Sequence, residues 1–73
     1  MNNWKQIAAK GHRKTGQFWA DSAETWAKEA QEAEKQGNQG HAVYCLNNAC
    51  ERKRFAEAEF ATADKLEKGD ELP

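Results

Sequence analysis

The sequence predicts an all-α fold, an antiparallel helical hairpin with a long second helix, and three observations predict it. Apolar residues recur three and four apart, as in Trp19, Ala23, Trp26, Ala30 and Ala33. The one proline is the last residue and β-branched residues are few, which argues against sheet. One cluster of turn residues, Gly37-Asn38-Gln39-Gly40, divides the chain near its middle. With 73 residues there is room for one domain, near the lower limit for a self-sufficient core.

The elements follow in order. Residues 1–16 read as a basic N-terminal helix or arm, opened by Asn3 as a cap with Gln6 three residues on. Trp4, Ile7, Ala8 and Gly11 keep helical spacing there. Gly11 and Gly16 then weaken the helix, leaving a short kinked N-terminal helix or a break open, with a fresh start at Thr15 or Asp21. Residues 17–36 form the next helix, with Glu24–Lys28 and Lys28–Glu32 paired on its wet side. Residues 37–40 make the turn, Gly37 ending one helix and Asn38 capping the next. The long second helix spans 41–68, on the order of 40 Å at about 1.5 Å per residue. Residues 69–73 are an acidic tail.

A short turn makes the two helices antiparallel neighbours, with facing residue numbers summing to about 77. Trp26 then lies near Ala49 and Cys50, Trp19 near Ala56 and Phe60, and Lys53 opposite Glu24. The first twenty residues carry Lys5, Lys10, Arg13 and Lys14 and no acid, whereas Asp64 and Glu67 lie where Lys10–Lys14 must face. Charge thus supports the same register. Of the 28 apolar residues, 13 are alanine, which favours helix and buries little, so the larger side chains must supply most of the core.

The second helix carries apolar residues on more than one side. Ala42, Leu46, Ala49, Ala56, Phe60 and Ala63 follow one face. Tyr44, Phe55 and Leu66 recur every eleven residues, about three turns, and point roughly the other way. One hairpin partner covers only one of these rows. Tyr44, Phe55 and Leu66 are therefore the expected partner or oligomer interface, and a homodimer that completes a helical bundle is the expected assembly.

Other chemistry has little support. The net charge of −1 recruits neither nucleic acid nor an anionic membrane. No apolar run is long enough for a signal peptide or a membrane span, so cytoplasmic residence is expected. Lys10, Arg13 and Lys14, with His12 and the Arg52–Arg54 run, are the candidate phosphate contacts, although acids face both clusters. His41 and Cys45, four apart, offer one ion two ligands. Completing the set needs a second such pair across a subunit interface, and no metal or other cofactor is expected. Cys45 and Cys50 lie five apart, roughly 140° around a helix, which disfavours a disulfide and favours reduced, buried thiols. No nucleophile, base and acid stand at a meaningful spacing, so no catalytic residue is expected.

Residues 26–49 resemble one tetratricopeptide unit. Trp26, Ala30, Ala33, Gly37, Ala42, Leu46 and Ala49 occupy its aromatic, small, turn and packing positions. Glu29 stands where that motif is apolar and Arg54 where its proline falls. The resemblance implies hairpin geometry and a face in need of a partner, and no peptide groove, since no second copy is visible. In size, in its alanine- and charge-rich helices and in lacking a catalytic motif, the whole chain resembles the short accessory reading frames of lambdoid bacteriophages. That resemblance implies residence in the host cytoplasm and action on a host or phage protein. The expectation is a non-enzymatic protein–protein interaction module. The alternative is a nucleic-acid-associated accessory protein that uses the basic N-terminal arm.

Overall fold

The computed structural model describes residues 3–68, and the acidic tail expected at 69–73 lies outside the described residues. Two helices, α1 (Trp4–Lys35) and α2 (Gln39–Lys68), pack against each other as an antiparallel hairpin. The hairpin is 57 Å long, 20 Å wide and only 11 Å thick, a single layer with two open faces.

The connection is three residues long. Gly37, at φ +78°, takes the left-handed conformation that glycine adopts without a Cβ penalty. Its N–H donates to the carbonyl of Glu34, and the Asn38 N–H donates to that of Ala33, which closes α1 in a Schellman motif. Asn38 also starts α2, its Oδ1 accepting the His41 N–H at 3.2 Å. Because Asn38 serves both helices, α2 begins at Gln39, two residues before the expected 41. Asn3 occupies the cap position of α1, but its side chain makes no capping bond.

The largest departure from the sequence reading is α1 itself. It runs unbroken for 32 residues through Gly11 and Gly16, with no separate N-terminal element and no fresh start at Thr15 or Asp21. Each helical glycine costs about 1 kcal/mol relative to alanine. Continuous packing against α2 outweighs that cost, since tertiary contact supplies most helical stability in proteins.

The seam between the helices is built from small side chains spaced at seven residues. Ala9, Gly16, Ala23 and Ala30 recur along α1, and Ala42, Ala49, Ala56 and Ala63 along α2. All but the half-buried Ala23 are buried. The positions three residues on complete a coiled-coil heptad: His12, Trp19, Trp26 and Ala33 on α1, and Cys45, Arg52, Glu59 and Leu66 on α2. A mixed set at this second position is workable because its polar members are paired. His12 Nδ1 lies 2.6 Å from Glu59 Oε1, and the Arg52 guanidinium sits 5.3 Å from the centre of the Trp26 ring. At the open end Leu66 packs with Ala9 and Ala63.

This seam corrects the expected inner row. Leu46 is 49% exposed, and the fully buried Cys45 takes its place. Phe60 is half-buried at the margin, its ring seated over Gly16. Trp19 and Trp26 are half-buried too and do not fill a central core. The ion pair of Arg13 with Asp64 falls at the expected sum, whereas the ring pair of Trp19 with Phe55 falls three below it.

Candidate functional site

The small-residue seam leaves most large apolar side chains outside it, on two flanks of the hairpin. One flank is aromatic. Trp19 meets Phe55 edge to face at 4.9 Å between ring centroids and Phe18 at 5.2 Å. Nearer the turn, Trp26 meets Tyr44 edge to face at 5.7 Å, and His41 stacks on Tyr44 at 6.1 Å. Arg52 is held over Trp26 by a 2.8 Å hydrogen bond to Asn48 Oδ1. Such edge contacts fix ring orientation while leaving ring faces open to a partner.

Tyr44 and Phe55 therefore belong to this flank and not to the far side of α2, with 56% and 42% of their surface exposed. Leu66 does not join them. It is 7% exposed and sits in the seam, so it is removed from the expected interface. The reason is the period. Relative to a 3.5-residue seam, each eleven-residue step turns about 50°. The row starts outside at Tyr44, reaches the flank at Phe55 and enters the seam at Leu66. Trp4, Ile7 and Phe18 are exposed apolar residues on α1 that the sequence reading did not assign to a surface. Their spacing at 4, 7 and 18 fits the same 3.5-residue period and was the available signal.

The other flank is an alanine-lined groove of about 460 Å³ between the helices. Ala20, Ala23 and Ala27 line it from α1, and Ala49, Cys50, Ala56 and Phe60 from α2. Glu24, Lys53 and Glu57 stand on its rim. Leu46 lies seven residues before Lys53 and four before Cys50, so this apolar strip continues toward the turn.

The basic segment is part of the fold's closure. Arg13 Nη2 donates to Asp64 Oδ1 at 2.7 Å and to Glu67 Oε1, while its Nε donates to Glu67 Oε2 at 3.2 Å. This forked grip pushes the Arg13 guanidinium further up in pKa, through its hydrogen bonds to Glu67 and then Asp64. The same bond from Arg13 holds the Glu67 carboxyl below its ordinary value. Lys10 and Lys14 are exposed beside it. Of the three candidate phosphate contacts, the one with bidentate geometry is already occupied by acids of the same chain.

His41, Cys45 and Glu29 also meet. His41 Nε2 lies 3.5 Å from both Cys45 Sγ and Glu29 Oε2. One nitrogen faces both groups, so the imidazole cannot relay a proton from thiol to carboxylate through its two ends. Burial, with the Glu29 charge adding to it, pushes the Cys45 thiol up and disfavours the thiolate that nucleophilic attack or metal ligation needs. Among the described residues, no group of three or more His, Cys, Asp or Glu side chains is placed to hold a metal ion. Both cysteines are unpaired; Cys45 is buried as expected, whereas Cys50 is exposed on the groove. No described helix is long and apolar enough to cross a membrane. Comparison of the chain with protein-family models, with curated proteins and with solved structures finds no match.

Proposed function

We propose that the chain is a non-enzymatic helical interaction module that self-associates and acts by binding another protein. One observation carries this reading. The seam is made mainly of alanine, while Trp4, Ile7, Phe18, Tyr44, Leu46 and Phe55 remain exposed on a single-layer hairpin. Large apolar surface outside a small-residue seam is the signature of a surface meant to be covered. The resemblance to lambdoid accessory reading frames supports a host or phage regulatory protein as the partner, met in the host cytoplasm. The nucleic-acid alternative is the weaker reading, because Arg13 is engaged by Asp64 and Glu67.

Light scattering at micromolar concentration tests self-association, with a mass above that of one 8.3 kDa chain as the expected result. A monomer would remove that part of the reading. A salt-sensitive mobility shift with bulk DNA or RNA, abolished by neutralising Lys10, Arg13 and Lys14, would replace the protein-binding reading with the alternative.

A further inference from the structure

The alanine-lined groove identifies the self-association face, and we infer that two copies pair there with both turns at the same end. This rests on the self-association proposed above and adds the face, the axis and the contacts. The broad face of the hairpin, 57 by 20 Å, has room for the roughly 800 Å² per partner that a stable pairing buries. The groove strip is its apolar centre, and Leu46 extends it toward the turn.

Charge then chooses the arrangement. Glu24 on α1 and Lys53 on α2 stand across the same groove at nearly the same height, and no ion pair joins them within the chain among the described residues. Two hairpins pressed groove to groove have two isologous solutions. With the two-fold axis across the hairpin, each helix lies antiparallel on its own copy. Glu24 then approaches the second Glu24 near the axis and Lys53 the second Lys53, which is repulsive. With the axis along the hairpin, each α1 lies over the α2 of the other copy at matching height. Each Glu24 then meets a Lys53, and each Lys10 comes over Asp64. The half-buried Phe60 ring, level with Gly16, then comes over Gln17, within one turn of the short side chain of Ala20. The second solution satisfies every rim charge named here except Glu57, which stays on the wet edge. It leaves the aromatic flank uncovered, available to the separate protein partner.

The experiment reads mass and distance on the full chain. Lys53→Glu should raise the dimer dissociation constant about tenfold or more, since two favourable pairs become two repulsive ones. Adding Glu24→Lys should restore it. Phe55→Glu, on the other flank, should leave the dimer unchanged. A spin label at Gln39→Cys in a Cys50→Ala background reports the axis, because Cys45 is buried and takes no label. Same-end turns place the two labels within about 20 Å, two interhelical spacings. Labels about 40 Å apart or more, twice the rise from Glu24 to the turn, would overturn the arrangement. A dimer dissociated by Phe55→Glu but indifferent to Lys53→Glu would overturn the groove assignment while leaving self-association intact. A monomeric unmodified protein would remove both. Circular dichroism confirms that each variant stays helical, and both charge changes lie on the exposed rim.

Discussion

Two glycines in one helix provide a controlled pair of substitutions. Gly11 and Gly16 both lie inside α1, and neither has a positive φ. A Cβ added at Gly11 meets nothing within 4 Å. Gly11→Ala should therefore return the helix-propensity difference alone, a gain of about 0.5–1 kcal/mol. At Gly16 the same Cβ would lie 2.8 Å from Phe60 Cε1, 3.0 Å from Cδ1 and 3.1 Å from Cζ. Carbon atoms in ordinary contact sit about 3.5–4.0 Å apart, so the ring must retreat by more than half an ångström. Overpacking of this kind costs about 1–3 kcal/mol, against a helix gain of about 1. Gly16→Ala should thus be neutral to destabilising, by up to about 2 kcal/mol. The assay is urea unfolding followed by circular dichroism, with unchanged m-values required for comparison. Gly16→Ala/Phe60→Leu should recover most of the loss. Equal gains at Gly11 and Gly16 would show that the Phe60 ring is not seated over Gly16, and the described seam would be wrong there.

Trp26→Ala should cost about 1–3 kcal/mol, less than for a fully buried tryptophan, because the ring is half-buried against Tyr44 and Arg52; an unchanged Tm would remove that cluster from the stability of the hairpin. Glu67 has a folded pKa below its ordinary value of 4.5, so its contribution is present above that value and lost as pH falls through the lowered one. Arg13→Gln should therefore flatten the fall in Tm between pH 5 and pH 3, and an acid limb as steep as that of the unmodified protein would contradict the grip described. In dilute solution one thiol per chain should react promptly with a disulfide reagent, Cys50, and the second, Cys45, only on unfolding; two equally fast thiols would place Cys45 outside the seam. Neutralising Lys10, Arg13 and Lys14 together should leave protein-partner binding intact, which a pull-down with the variant as bait would check.

The hairpin was legible because its signals are local. Gly37 and Asn38 announce the turn through backbone conformation and capping, and the arginine-to-acid pairing across the open end could be read from charge alone. The seam was harder to read. Its second position holds His12, Arg52 and Glu59, which an apolar pattern search discards, so the neighbouring Leu46 and Phe60 took their place in the expected row. What rescues those polar residues is a partner on the opposite helix, and only the three-dimensional arrangement supplies it. Gly11 and Gly16 misled for a similar reason. A glycine signals a break when nothing packs on it, but here Gly16 is where the Phe60 ring needs room. Tyr44, Phe55 and Leu66 look equivalent in a list of spacings and separate only when the seam's 3.5-residue period is known.

The three-residue connection has a consequence for how the chain reaches this shape. In an antiparallel hairpin, the contacts nearest the turn close the shortest loops, so ordering should begin there and run outward like a zip. The His41–Glu29 contact, twelve residues apart, belongs to the first stretch, and the Arg13 grip on Glu67, 54 residues apart, to the last. Gly37→Ala, which strains the left-handed residue, should then mainly slow folding. Arg13→Gln should leave the folding rate nearly untouched and quicken unfolding. Amide protons near Ala9 and Ala63 should accordingly exchange with solvent sooner than those near Ala30 and Ala42, so the molecule opens from its unjoined end while the turn still holds.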